Sequence, residues 1–146
     1  MEEGHPWGLP ALRGAVAALH GGLRASNVLV TAAEDGAYLV VHALLRQGDM
    51  VVAMWPLPQR LVEVAAERGC RILYWRPAAG PGGRMAYDVG QLRALMGSSS
   101  PAIFPKMLIM AAPHNPTGFA PAAAEWDDIV AVCQKYGSYL LCDERQ

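Results

Sequence analysis

The sequence predicts an α/β fold with three layers, a mainly parallel sheet covered by helices on both faces. Three observations lead to it. Short runs such as 50–55 (MVVAMW) and 107–112 (MLIMAA) are apolar throughout, as strands buried on both faces must be. Helix-length segments separate most of these runs, the alternation that gives parallel pairing. The chain has 146 residues, of which 53% are hydrophobic and 17% charged, enough for one domain with a substantial core.

Each element can be justified in turn. Residues 9–20 place Leu12, Val16 and Leu19 on one helical face, and Gly21-Gly22 ends the segment. Residues 27–31 (NVLVT) form a β-branched run read as the first strand. A helix-length segment follows from about Glu34 to Arg46, closed by Gln47-Gly48-Asp49. Residues 50–55 read as a buried strand, 59–68 as a helix stopped by Gly69, and 71–75 (RILYW) as another strand. Residues 77–83 (PAAGPGG) read as a flexible loop inside the domain. Asp88 and Gln91 have the spacing of a capping box, with Val89, Leu92 and Met96 behind them on one face. After the 107–112 strand, Pro121 suits a first helical position, and Trp126, Ile129, Val130 and Cys133 follow at i, i+3, i+4 and i+7. Gly137 stops that helix, and 139–142 (YLLC) is the fifth candidate strand.

Bulk properties narrow the functional classes. A net charge of −1 gives no electrostatic case for nucleic acid or an anionic membrane. No apolar run approaches the roughly 20 residues of a membrane span. The start, Met1-Glu2-Glu3-Gly4-His5-Pro6, is acidic and proline-broken, unlike a signal peptide, so a cytoplasmic protein is expected. Cys70, Cys133 and Cys142 lie in apolar stretches and read as small buried hydrophobes, not as metal ligands.

Ligands of open parallel sheets bind beyond the carboxyl ends of the strands. There the sequence places Pro113-His114-Asn115-Pro116-Thr117-Gly118 after one run and Asp143-Glu144 after the last. One helix joins these two sites, so they belong to a strand–helix–strand crossover, and Asn115 and Asp143 emerge on the same sheet edge. Neighbouring strands would set them roughly 5 Å apart, about the width of one aromatic ring. Asn-Pro-Thr-Gly is also a good turn sequence, and an aspartate after a strand can be a cap or a surface charge. His114 reads as shaping the turn or facing solvent, with no catalytic role.

The pair HNPTG and strand-terminal Asp-Glu resembles the fold type I pyridoxal-phosphate-dependent enzymes of the class I/II aminotransferase family, amino-terminal part of the large domain only. The resemblance extends over nearly the whole chain. Gly8-Leu9-Pro10-Ala11-Leu12-Arg13, the 27–31 run, Gly48-Asp49 before 50–55, and Asp88 to Leu95 all follow the family's order. It implies that Asn115 hydrogen-bonds the phenolic oxygen of pyridoxal 5'-phosphate and that Asp143 pairs with the pyridine nitrogen. A carboxylate there keeps the ring protonated, so that it accepts electrons. It further implies 1–25 as an amino-terminal segment, 26–146 as the cofactor-binding sheet, and a family homodimer working on an amino acid or oxo acid.

The sequence departs from the family pattern in three places. Where the family has a T-x-G-like phosphate turn, this chain has Thr31-Ala32-Ala33-Glu34-Asp35-Gly36, about one residue short, with Ala33 and Glu34 at the phosphate positions. Acidic residues suit a helix start, yet they repel a dianionic phosphate. Pro58 stands near the position of the family's stacking ring; Trp55 is the available substitute, though it reads first as a residue of the core or the sheet edge. Arg145-Gln146 stand where many members have a tyrosine near the phenolic oxygen. The family's Schiff-base lysine and its carboxylate-binding arginine lie downstream of the Asp-Glu strand. Lys106 and Lys135 are off the carboxyl edge and read as surface charges. The resemblance therefore implies an aminotransferase, or a related lyase or decarboxylase, of which this chain alone would be inactive and prone to aggregate at an unpaired sheet edge. The alternative is a degenerate module that binds cofactor weakly or pairs with a subunit.

Overall fold

The computed structural model describes residues 5–97 and 104–144. The chain divides into two compact units, 1–39 and 40–146.

In the first unit, α1 spans Pro10–Ala18, with proline at its start where an absent N–H costs nothing. Its buried residues are Arg13 and Ala17, while Leu12 and Leu19 are 46% and 81% exposed. The expected Leu12–Val16–Leu19 face is thus displaced by one position. The reason is Arg13, whose guanidinium donates to the carbonyls of Val28 at 2.8 Å and Ala25 at 2.6 Å and lies 5.5 Å from the Trp7 ring centroid. Residues 25–27 form a short 3-10 turn, and the expected strand at 27–31 is irregular backbone. A strand requires a ladder, and among the described residues this run finds none. Its Val30 N–H bonds instead to the Trp7 carbonyl at 3.1 Å. Gly8, at φ +96°, makes that approach possible, since a Cβ there would meet Val30 Cβ at 2.5 Å.

Helix α2, Ala33–Leu44, spans the boundary between the units, and its Val41 is fully buried. The second unit is built on strands β1 (Met50–Met54), β2 (Arg71–Trp75), β5 (Met107–Ala111) and β6 (Tyr139–Asp143). They form one sheet in the order β2-β1-β5-β6, every pair parallel. A separate two-stranded ladder, β3 (Ala78–Ala79) with β4 (Met85–Ala86), occupies part of the expected loop. Helices α3 (Gln59–Glu67), α4 (Val89–Gly97) and α5 (Ala123–Tyr136) make the crossovers. Five candidate strands thus become four in the main sheet.

The central strands β1 and β5 are buried at all five positions. Alternation assigns their side chains to two faces. Val52, Met54, Leu108 and Met110 share a core with Leu92 and Met96 of α4 and with Ile129, Val132 and Cys133 of α5. The intervening Val51, Ala53 and Ile109 are fully buried on the other face, where a right-handed β1–α3–β2 crossover places α3. Val132 takes the buried place expected for Val130, which is 38% exposed.

The caps follow local chemistry. Asp88 accepts the N–H groups of Gly90 and Gln91 at 2.8 and 3.1 Å, while the Gln91 side chain accepts the Arg76 N–H instead of closing a capping box. Pro121 precedes α5 by two positions, and Glu125 reaches back to the Ala122 N–H at 2.8 Å. Gly137, at φ 63°, ends α5 in the left-handed conformation that glycine adopts without strain. No helix among the described residues is long and apolar enough to cross a membrane.

Candidate functional site at the carboxyl edge of the sheet

The strand order contains a reversal. The chain runs from β1 outward to β2, returns past β1 to β5, and continues outward to β6. The turning place between β1 and β5 is a topological switch point, where open parallel sheets form ligand clefts.

Three sequence-predicted site residues stand along this edge. Asp143 is the last residue of β6, in register with Ala111 at the end of β5, and is partly buried. Its carbonyl accepts the Ala112 N–H at 3.1 Å. Asn115 is exposed four residues beyond β5, in the loop that follows it. Trp55 directly follows β1 and is 43% exposed, with the Arg76 guanidinium 4.8 Å from its ring centroid. It lies at the sheet edge, not in the core. Pro58 caps α3. Ala33 and Glu34 belong to the first unit, at the start of α2, where Glu34 and Asp35 fill the acidic first turn. Arg145-Gln146 lie outside the described residues.

The structure brings in two residues that the sequence reading left aside. His114 is only 1% exposed and Tyr87 2%, so His114 does not face solvent; it shapes the turn, as the other reading had it, and also reaches beyond it. Its Nε2 hydrogen-bonds the Pro56 carbonyl, and Nδ1 lies 2.7 Å from the Thr117 hydroxyl. Tyr87 donates to the Trp55 carbonyl at 2.8 Å, and its oxygen lies 3.2 and 3.3 Å from the two His114 ring nitrogens. Around them Trp75 and Phe119 each pack against Tyr87, at 5.2 and 5.1 Å between centroids. Two backbone bonds of 2.7 Å close the loop, His114 N–H to the Phe119 carbonyl and Gly118 N–H to the His114 carbonyl.

Burial sets the protonation of this cluster. Desolvation lowers the His114 pKa below its usual value, outweighing the hydrogen bond to Pro56. Desolvation also pushes the Tyr87 hydroxyl up to about 12, against the opposing effect of Thr117. Cys133 and Cys142 are raised to about 11 by burial and so stay thiols. Among the described residues, no group of three or more His, Cys, Asp or Glu side chains gathers as a metal site.

The arrangement suits a flat heteroaromatic ligand. Asp143 ends β6 and Asn115 lies in the loop beyond its neighbour β5, so a carboxylate and an amide follow two adjacent parallel strands, whose spacing is about 5 Å. The acidic turn of α2 lacks the character of a phosphate cradle.

Solved structures share this fold. A pyridoxal-phosphate-dependent aminotransferase from Streptococcus suis is 28% identical, with a TM-score of 0.83, over 97% of this chain and 36% of its own. N-succinyldiaminopimelate aminotransferase from Mycobacterium tuberculosis is 27% identical, with a TM-score of 0.82, over 98% of this chain and 38% of its own. An alanine aminotransferase from Pyrococcus furiosus, 23% identical over 97% of this chain and 36% of its own, has the same fold at a TM-score of 0.82. The chain thus spans little more than a third of the length of these relatives. No curated protein matches it. The family model for aminotransferase class I and II matches residues 2–145, and the chain belongs to that family.

Proposed function

We propose that residues 26–146 form the cofactor-binding sheet of an aminotransferase-like protein that uses pyridoxal 5'-phosphate on an amino acid. Placement in the cytoplasm and assembly as a homodimer are part of the same proposal. The observation that carries it is the parallel β5–β6 pairing, which sets Asp143 opposite Ala111, with Asn115 on the loop beyond. The Asp143 carboxylate accepts the pyridine N–H, and its charge keeps that proton in place. The Asn115 amide donates to the phenolic oxygen, and Trp55 borders the same edge. When bound, the cofactor supplies an electron sink for a carbanion next to the substrate nitrogen.

The test is a titration of the chain with pyridoxine 5'-phosphate, which has the ring and phosphate but no aldehyde to react with surface lysines. Asp143→Ala removes a charge-assisted hydrogen bond, and the expected weakening is about 10- to 100-fold. An unchanged affinity places the ring elsewhere and defeats the proposal. The second reading, a module without cofactor function, is favoured by Glu34 and Asp35 in the first turn of α2. In that case the unsubstituted chain shows no saturable binding.

A further inference from the structure

The buried His114–Tyr87 pair has no part in the chemistry proposed for Asn115 and Asp143, yet it joins three separate stretches of chain. Its hydrogen-bond pattern is self-consistent. The Pro56 carbonyl can only accept, so Nε2 carries the imidazole hydrogen. Nδ1 is then an acceptor, and the Thr117 hydroxyl donates to it while accepting the Phe119 N–H at 3.3 Å. Tyr87 spends its hydrogen on the Trp55 carbonyl, and its oxygen lies against the imidazole, 3.2 and 3.3 Å from the two nitrogens. One neutral tautomer serves both the Pro56 carbonyl and the Thr117 hydroxyl.

Its position gives this cluster a role beyond filling space. Pro56 and Trp55 belong to the loop after β1, and Thr117 to the loop that presents Asn115. The outer side of the Asn115 loop faces an open cleft of about 760 Å³, walled by Arg84 and Met85 of the β3–β4 hairpin and by Thr117 and Phe119. Hydrogen bonds of the His114 and Thr117 side chains tie that loop to itself and to Pro56.

We propose that His114 is a positioning residue that locks the Asn115 loop to the Trp55–Leu57 loop across the switch point, so that one buried cluster sets both borders of the ring site. The link to a ring rests on the function proposed above, whereas the lock itself does not. A residue that only fills space would be replaced harmlessly by another of its size, but a lock needs the donor and the acceptor separately.

The experiment is amide hydrogen exchange on the ligand-free chain, read for segments 55–61 and 114–120. His114→Leu keeps bulk but neither polar group, and both segments are expected to exchange about tenfold faster while 50–54 and 107–111 hold. His114→Gln returns a donor within reach of Pro56, and it should restore 55–61 but not 114–120. Thr117→Val should speed 114–120 alone, and it carries the test with His114→Gln if His114→Leu does not fold. Exchange unchanged in both segments, or equally faster across the whole sheet, overturns the lock. Pyridoxine 5'-phosphate titration of the same variants supplies the second readout. A loosened loop with unaltered ring affinity overturns the positioning of Asn115. A wild-type chain without ring affinity defeats the proposed function, while the exchange pattern still decides the lock.

Discussion

Replacing Tyr87 by Phe removes one oxygen from the buried cluster and leaves the ring. The aromatic packing on Trp75 and Phe119 is retained, because the centroid distances of 5.2 and 5.1 Å involve only ring atoms. What is lost is the 2.8 Å bond to the Trp55 carbonyl and the polar contact with the His114 ring. A neutral hydrogen bond contributes about 0.5–1.5 kcal/mol net, and a stranded buried partner costs about 1–3 kcal/mol. His114 keeps Pro56 and Thr117, so only the Trp55 carbonyl is stranded, and the total should be about 1–3 kcal/mol. In urea, with a slope of about 2 kcal/mol/M, that lowers the unfolding midpoint by about 0.5–1.5 M at unchanged slope. The companion variant Thr117→Val completes a double-mutant cycle, in which members of one network couple by about 0.5–3 kcal/mol. A midpoint within about 0.2 M of wild type, or strict additivity with Thr117→Val, would refute the assignment of Tyr87 to a connected network.

Two further outcomes follow from the same structure. The pKa of His114 is lower folded than its usual 6.5, so the unfolded chain binds the proton more readily. Stability is fully present above about 6.5 and declines as pH falls from there toward the depressed folded value; Tyr87 is the titratable side chain bonded to His114. Urea midpoints between pH 7.5 and 5 should show this decline, and His114→Gln should flatten it; a decline that persists in His114→Gln assigns it to other groups. In the first unit, Arg13→Met removes the charged donor from the Val28 and Ala25 carbonyls and leaves Ala25 with the Val28 N–H alone. Charged hydrogen bonds of this kind contribute about 1.5–3 kcal/mol each. Limited proteolysis between residues 19 and 30 should become markedly faster, and an unchanged cleavage rate would show that Arg13 does not hold that turn.

Much of the layout was legible because it rests on local pattern. The all-apolar runs at 50–55 and 107–112 could only be doubly covered strands, and β1 and β5 are the buried centre of the sheet. Gly69 and Gly137 ended helices where expected, because a left-handed residue is a local property. The misses all depend on distant partners. Run 27–31 has the composition of a strand but no ladder, and Leu12 lost its buried place to an arginine with two carbonyls to satisfy. The ends of β5 and β6 were found because the crossover rule fixes direction. His114 was passed over because its partners, Pro56 and Tyr87, are far from it in sequence.

The strand order also decides which pairing carries the largest closure entropy. β1 with β2, and β5 with β6, are each joined through a single crossover helix, so each pair closes a short loop. The β1–β5 pairing, Val51 with Met107, closes the longest loop in the sheet and carries the largest closure entropy. The sheet thus consists of two locally closing halves joined along one seam. The carboxyl end of that seam is where His114 meets Pro56. The place best suited to hold a ligand therefore lies at the end of the seam with the largest closure entropy, and any ligand bridging it would act as a clasp between the halves.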